Sequence, residues 1–462
     1  MEPIEGHFHF IGIGGAGMSV VAELLAARGA RVTGSDCADS DVLARLNEKG
    51  IRAFVGHDAT HVDDDATVVV STAIRESNPE LTRARELGLD VIHRSQALAL
   101  AASGMRFVGV AGAHGKTTTS GMIAVGLRGA GLDPSVAVGG IVPQFGSGAH
   151  LGTSDVFVAE ADESDGSFLN YTPSIEVVTN VEPDHLDRYG TREAFEAIFV
   201  DYAKRLVPGG LLVCCAEDAG TARLSESARE LGIRVVTYGR SDKSVVDADV
   251  TICDVETTPS SCRARVSYGD ISAELSLGVP GVHNILNAVG AWIAGVELGV
   301  EPGLMASSLA GFTGTARRFE LRGTVGDRRV FDDYAHHPTE VSAAIEQARL
   351  VADGADVTVV FQPHLYSRTR LFADRFAKAL SGADHVVLAD IYAAREDDDP
   401  AVTSALIADQ IKGAEYVHDM HEAARTGARQ AGSRGVLITM GAGSITQCAD
   451  DVIDEWQRMD AS

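Results

Sequence analysis

Residues 107–119 read FVGVAGAHGKTTT. The apolar run Phe107–Ala111 has the length of a buried strand, and a helical period follows from Thr117 to about Arg128. Between them lies the glycine turn Gly112-Ala113-His114-Gly115-Lys116-Thr117-Thr118-Thr119. A full phosphate loop would have glycine at position 110, where Val110 stands, so this is a shortened G-x-x-G-K-T. The chemistry of such a loop survives the shortening. Backbone amides cradle phosphates, Lys116 reaches the terminal ones, and a threonine hydroxyl can ligate magnesium. The alternative is a solvated lysine after a helix-starting glycine. Strand, glycine turn and helix in this order predict a parallel α/β sheet.

A second turn of this kind stands nearer the N-terminus. Gly12-Ile13-Gly14-Gly15-Ala16-Gly17 is a G-x-G-x-x-G between a strand at Phe8–Ile13 and a helix at Met18–Ala27. Glycines there let backbone approach a pyrophosphate seated on the helix N-terminal amides. Asp36, after the next strand, is placed to meet a ribose hydroxyl. The motif fits a nucleotide or nucleotide-sugar site, and tight packing alone would also favour glycine.

Carboxylates cluster downstream of the phosphate loop. Glu160-Ala161-Asp162-Glu163-Ser164-Asp165 follows a strand at Val156–Ala159, and Asn180-Val181-Glu182-Pro183-Asp184-His185-Leu186-Asp187 follows one at Ile175–Thr179. Carboxylates at strand C-terminal ends face the crevice where α/β ligands bind, and magnesium takes hard oxygen ligands. Either cluster alone could be a polar turn.

The 462 residues of the chain sort into three blocks, 1–104, 105–314 and 315–462. The first adds strands at Arg31–Gly34 and Thr67–Ser71. The second adds strands at Leu211–Cys214 and Arg234–Tyr238, an antiparallel hairpin from Cys262–Ser267 and Ile271–Leu277, and helices near Asn284–Leu298 and Pro302–Leu309. The third alternates strands at Val330–Asp333, Val357–Phe361, His385–Leu388 and Val436–Met440 with helices such as Arg370–Leu380. The fold class predicted is α/β in three domains. A Rossmann-like domain comes first, a central phosphate-loop domain with the hairpin second, and a Rossmann-like C-terminal domain third.

Charge narrows the ligands. The formal net charge is -26, so binding a nucleic-acid backbone through bulk charge is excluded, and any anionic substrate must be met by a few placed cations. Six scattered cysteines without a C-x-x-C pair predict neither a zinc cage nor a disulfide framework. Met1–Phe10 lacks the pattern of a secretory leader, and no apolar window is long enough to span a membrane. A cytoplasmic protein without nucleic-acid or membrane partners is expected.

Taken in order, these motifs resemble the Mur ligase family, which builds the cytoplasmic peptidoglycan precursor. The resemblance runs the length of the chain. It includes Gly12–Met18 (GIGGAGM), the phosphate loop, both acidic runs, Pro280–Asn287 (PGVHNILN), Arg317–Phe319 (RRF), Asp332–Glu340 (DDYAHHPTE), Gln362–Thr369 (QPHLYSRT) and Met440–Gly443 (MGAG). The family normally has threonine where Ala113 stands. Several relatives carry a carbamoylated lysine near position 200, which is Val200 here, with Lys204 the nearest lysine.

The resemblance implies an ATP- and magnesium-dependent ligase whose substrates are UDP-N-acetylmuramate and L-alanine, in a monomer or homodimer. It implies UDP-sugar contacts at Gly14, Gly15, Ala16, Gly17, Met18, Asp36, His57 and Ser71-Thr72-Ala73-Ile74. ATP contacts are implied at Gly112, Ala113, His114, Gly115, Lys116, Thr117, Thr118, Asn284 and Asn287. Metal-side residues would be Thr117, Glu160 and His185. Lys116, Glu160, His185 and one of Arg317 and Arg318 would serve catalysis, and His336, His337, His364 and Arg368 would receive the amino acid. Three other readings compete: a recycling ligase that adds a tripeptide to the same UDP-sugar, an NAD-dependent dehydrogenase using the first turn, and a non-catalytic nucleotide sensor.

Overall fold

The computed structural model describes residues 3–184, 186–394 and 396–461. Three sheets with flanking helices make a three-domain α/β architecture. The first sheet holds β1 (His7–Ile11), β2 (Arg31–Asp36), β3 (Arg52–Val55), β4 (Ala66–Val70) and β5 (Val91–His93) in the order β3-β2-β1-β4-β5, all parallel. Helices α1 (Ala16–Ala27), α2 (Asp41–Glu48), α3 (Pro79–Leu87) and α4 (Arg94–Ala101) connect or follow these strands. Strand order reverses beside β1, and ligands of open α/β sheets bind at such a switch point. The first glycine turn leaves β1 there.

The second sheet has ten strands. These are β6 (Arg106–Ala111), β7 (Ser135–Val142), β8 (Ser147–His150), β9 (Val156–Glu160), β10 (Ile175–Val178), β11 (Leu211–Cys215), β12 (Arg234–Arg240), β13 (Val250–Thr257), β14 (Cys262–Tyr268) and β15 (Ile271–Leu277). Its order is β15-β14-β13-β12-β11-β10-β6-β9-β7-β8. β6 lies centrally between parallel β9 and β10, and α5 (Lys116–Gly129) begins at the end of its turn. Its residues from Phe107 onward are all buried, as a strand covered on both faces requires, whereas β14 and β15 alternate buried and exposed positions. Gly269 and Asp270 join these two neighbours, a link short enough only for an antiparallel hairpin. β7 and β8 form an antiparallel pair that the sequence reading passed over. Gly139, Gly140, Gly146 and Gly148 interrupt the apolar alternation there.

The third sheet, β16 (Glu320–Val325), β17 (Arg328–Asp333), β18 (Val357–Phe361), β19 (His385–Leu388), β20 (Glu415–Tyr416) and β21 (Val436–Met440), runs in the order β16-β17-β21-β18-β19-β20. Only β16 is antiparallel to its neighbour. Helices α6 (Leu186–Tyr189), α7 (Arg192–Ala203), α8 (Ala219–Glu230), α9 (Val282–Glu297) and α10 (Pro302–Leu309) complete the central part of the chain. The C-terminal part adds α11 (Pro338–Ala352), α12 (Tyr366–Leu380), α13 (Ala405–Ala408), α14 (Met420–Gln430) and α15 (Ala449–Ala461). α12 starts four residues before the predicted Arg370, and α9 two before Asn284.

The chain divides into two compact units. One comprises residues 1–254, 264–276 and 286–312, and the other 255–263, 277–285 and 313–462. Within the first, one apolar core runs through both sheets, from Phe8, Phe10 and Leu25 to Phe157, Phe168 and Tyr202. The second is built on Val357, Val359 and Phe361 against α11 and α12 on one face, and on Val360, Leu437 and Trp456 on the other. No helix of the described residues is long and apolar enough to cross a membrane.

Candidate functional site

The phosphate-loop turn is shaped by the strand beside it. Gly112 has φ +129°, and a Cβ there would lie 2.9 Å from the Asn180 carbonyl oxygen and 3.1 Å from its amide nitrogen. Only glycine fits so close an approach of two backbones. The Asn180 side chain then clamps the loop, accepting from the His114 amide (3.0 Å) and donating to the His114 carbonyl (2.9 Å). Gly115 (φ +83°) is the N-cap of α5 and offers no side chain, so the first-turn amides of α5 receive no side-chain cap. Thr117 and Thr118 lie in that first turn, and Thr117 is buried. Asn287 packs its Oδ1 against the bare α-carbon of Gly115. Asn284 donates to the Pro280 carbonyl (2.7 Å) at the start of α9, and both asparagines are buried.

Lys116 does not point into solvent. Its Nζ donates to the Gly112 carbonyl (2.6 Å) and to both oxygens of Glu163 (2.9 Å each). Burial would depress the lysine pKa, but the negative charge of Glu163, Asp162 and Glu160 outweighs it and raises the value, so Lys116 stays cationic. Asp162 bonds Arg94 (2.7 Å) and accepts from the Ser164 amide (3.0 Å). Burial opposes its charged form, yet Arg94 and Lys116 hold its carboxyl well below the usual range. Glu160 accepts from the Gly139 amide (3.0 Å) on β7. His114 meets Glu182 at 3.3 Å. His185 lies outside the described residues. Sequence reasoning quoted Glu163 within its acidic run but gave it no role, because spacing alone does not say which carboxylate of the run turns toward the lysine. Arg94 had no motif to announce it.

At the first turn the amides of Gly12 and Ile13 both donate to the Ser35 carbonyl, tying the turn to β2. Asp36 accepts from the Gly14 amide (2.9 Å). Gly15 is the N-cap of α1, again without a side-chain cap, ahead of Ala16, Gly17 and Met18. The Arg94 guanidinium fills the space where a Cβ on Gly17 would stand. Ile74 closes a turn with Ser71, flanking Thr72 and Ala73, and packs on Gly12. His57 bonds the hydroxyl of Ser35 (2.8 Å). The UDP-sugar residues expected from sequence therefore gather at the C-terminal ends of β1, β2, β3 and β4.

In the second unit, Arg317 donates to the carbonyls of Gly441 (2.8 Å) and Gly443 (3.2 Å) and faces Asp332 at 3.4 Å. Arg318 pairs with Glu340 (3.3 Å), and both guanidinium groups lie over the Tyr334 ring. His337 is fully buried and caps α11 by accepting from the Thr339 amide. His336 contacts the Tyr334 carbonyl (3.1 Å), and its ring centroid is 5.9 Å from that of His364. Arg368 is buried in the first turn of α12. Leu365, the N-cap of α12, has φ +70° and ψ 136°, a conformation that costs a β-carbon residue about 1–3 kcal/mol and tends to occur at functional sites. Burial pushes the Asp333 carboxyl up to about 6, against the pull of Arg318 and of the Ala335 amide.

A phosphate loop with a charge-locked lysine, next to a glycine turn tied to an acidic residue, in a three-domain α/β chain, is the frame of a nucleotide-binding enzyme. The chain belongs to the Mur ligase family. It matches the family's catalytic domain over residues 7–106, its middle domain over 110–295 and its glutamate ligase domain over 317–443. It is 52% identical to a UDP-N-acetylmuramate–L-alanine ligase of Kineococcus radiotolerans, over 97% of this chain and 96% of that one. It is 51% identical to the enzyme of the same name in Paenarthrobacter aurescens, over 97% of each. It is also similar to the crystal structure of UDP-N-acetylmuramate-alanine ligase from Thermotoga maritima. That match has a TM-score of 0.81 and 29% identity, and covers 98% of this chain and 100% of that one.

Proposed function

We propose that this chain joins L-alanine to the carboxylate of UDP-N-acetylmuramate, cleaving ATP to ADP and phosphate, in peptidoglycan precursor synthesis. The observation that carries the reading is Lys116 locked onto Glu163 in a phosphate loop, in a chain about half identical to named L-alanine ligases over nearly its whole length. The functional domains are 1–104 for the UDP-sugar, 105–314 for ATP and 315–462 for the amino acid. The protein works in the cytoplasm as a monomer or homodimer.

The reaction divides between a phosphoryl transfer and an acyl transfer. The muramyl carboxylate attacks the γ-phosphorus of ATP, ADP leaves, and an acyl phosphate forms. The alanine amine then attacks the acyl carbon, loses a proton, and expels phosphate. Such transfers need alignment and neutralisation of charge more than covalent help. Lys116 supplies a fixed positive charge at the loop. The uncapped amides of α5 receive phosphate oxygens. Asn180 keeps His114 and the loop in place, and Asn287 supports Gly115 from behind. Arg368 receives the alanine carboxylate, with His336, His337 and His364 around it, and Arg317 or Arg318 approaches the γ-phosphate.

The donor set suits magnesium. Thr117, Glu160 and Glu163 offer oxygen atoms only, the ligands that ion prefers, with His185 as the further metal-side residue. When bound, the ion would neutralise charge on the transferring phosphoryl group. Phosphate release tests the whole reading. It should require UDP-N-acetylmuramate, ATP and magnesium together, and among twenty amino acids L-alanine should give the highest kcat/KM. Release with a tripeptide in place of alanine would turn the reading into a recycling ligase, and no release with any acceptor would leave only a nucleotide sensor.

A further inference from the structure

The first sheet contains a carboxylate that neither glycine turn uses. Glu80, in the first turn of α3, is wholly buried and receives side chains from three other parts of the sheet. The Ser35 hydroxyl of β2 donates to its Oε2 at 2.5 Å. His61 Nδ1 lies 2.9 Å and the Asp58 amide 3.2 Å from its Oε1. His57 Nδ1 is 3.4 Å and the buried His9 Nε2 of β1 3.6 Å from its Oε2. An apolar residue would pack α3 as well without the cost of burying a charge, so the carboxylate calls for another explanation. Burial opposes ionisation of Glu80, but the nearby His9 imidazole and the hydrogen bonds from Ser35 and His61 outweigh it and hold the carboxyl at about 2.

With Glu80 ionised, the hydrogen count at this cluster places a proton on one nitrogen of His57. An ionised carboxylate accepts and cannot donate, so the Ser35 proton goes to Glu80. The hydroxyl has no second proton, so toward His57, 2.8 Å away, it can only accept. His57 Nδ1 must then carry a hydrogen, which also suits its approach to Glu80. The bond made by one imidazole nitrogen sets the state of the other. His57 Nε2 makes no hydrogen bond to the described residues, and the side chain is partly exposed.

We infer that Glu80 is a positioning residue for the UDP-sugar: through Ser35 it fixes His57 as the Nδ1–H tautomer, so that Nε2 is an acceptor for a neutral N–H or O–H donor of the nucleoside. The inference rests on the proposed placement of the UDP-sugar at the ends of β1 to β4. The donors of that chemistry are the uracil imide and the ribose hydroxyls. In Glu80→Gln the new amide can donate to Ser35, whose proton then turns to His57. The ring flips its tautomer and meets the ligand donor to donor.

The experiment combines kinetics with nitrogen NMR of the full-length, histidine-labelled protein. In the wild type, His57 should show the neutral Nδ1–H pattern; an Nε2–H or doubly protonated ring overturns the inference, whatever the variants do. Glu80→Gln and Ser35→Ala should each raise the KM for UDP-N-acetylmuramate roughly ten- to hundredfold, as a mismatched buried hydrogen bond does, while the KM for ATP stays within about twofold. A merely structural loss would lower stability and the active fraction without splitting the two KM values or moving the His57 signal. In a His57→Ala background the Glu80→Gln effect should vanish. If His57→Ala leaves the UDP-sugar KM unchanged, the placement of that substrate is wrong; if it raises that KM and Glu80→Gln does not, the positioning role is wrong. UDP methylated at the imide nitrogen and deoxy-UDP, used as competitors, identify the donor, and equal affinity of both with UDP overturns the acceptor role.

Discussion

Two glycine turns in one chain leave the ends of parallel strands and open uncapped helices, yet they are charged in opposite ways. At the second turn a lysine belongs to the turn itself, and Glu163 holds it at 2.9 Å. At the first, the side chain bonded to the turn is Asp36, and the nearby cation, Arg94, comes from α4 and is paired with Asp162. On the proposed placement of the ligands, the same backbone device serves two tasks. A turn that carries its own cation can follow charge as it moves during phosphoryl transfer. A turn whose cation is borrowed, and whose acid faces inward, can hold a diphosphate that stays intact. The comparison also explains why glycine spacing alone did not separate a UDP-sugar from NAD at the first turn.

The largest effect that could break this comparison is at Lys116. Lys116→Ala should lower kcat on the order of a thousandfold or more, since one lost charge-stabilising contact already costs about a hundred- to a thousandfold. It also leaves Glu163 buried without its partner, so some loss of stability is expected. The double variant Lys116→Met/Glu163→Gln removes both charges. It should melt close to the wild type and remain inactive, which assigns the loss to chemistry. Near-wild-type turnover in either protein would end the distinction between the turns. Glu163→Gln alone should cost about a hundredfold in kcat, because Lys116 loses the charge of its anchor and one of its two acceptor oxygens. Glu160→Gln, whose acceptor for the Gly139 amide survives as an amide oxygen, should cost less. Excess chelator should abolish turnover, and full activity in chelator would remove the metal from the reading.

Much of this contrast was legible beforehand, and the residues show why. Gly112, Lys116 and Thr117 are contiguous, so their joint geometry is local and spacing carries it. The central strands were readable because burial on both faces leaves unbroken apolar runs such as Phe107–Ala111. β7 and β8 were not, because their glycines erase the alternation. Arg94 was invisible for a different reason: its partner Asp162 is 68 residues away and its contact at Gly17 is 77 residues away, and no local pattern records such a meeting. His337 read as part of a substrate-facing pair, and the structure also gives it a capping role on α11. A histidine followed by proline, with glutamate three residues on, suits both uses, and sequence cannot divide them.

A smaller effect tests the borrowed cation. Arg94→Met keeps most of the side-chain volume and removes the charge. It should raise the KM for UDP-N-acetylmuramate about tenfold, the loss of one charged hydrogen bond, with the KM for L-alanine unchanged. Asp162 loses a partner in the same change, so a modest fall in melting temperature is expected as well. An equal rise in the KM for ATP and for the UDP-sugar would mean that Arg94 serves both turns through Asp162, and the contrast drawn above would be blurred.

The smallest effect is at Asp36, and it separates the role of its charge from that of its oxygen. The carboxylate accepts from the Gly14 amide, and an asparagine oxygen can do the same. Asp36→Asn should therefore keep the turn and change the UDP-sugar KM only a few-fold, in line with a neutral hydrogen bond worth about 0.5–1.5 kcal/mol. Asp36→Ala leaves the Gly14 amide without this acceptor and should cost more, in KM and in stability. Neither should change kcat at saturating substrate, because no charge moves at this turn. Calorimetry should find UDP-N-acetylmuramate bound and NAD unbound in all three proteins. A large fall in kcat for Asp36→Asn would give the first turn a part in the chemistry. NAD binding by the wild type would mean that Asp36 meets a ribose as in a dinucleotide site, and the two turns would then differ in ligand for a reason other than their charge.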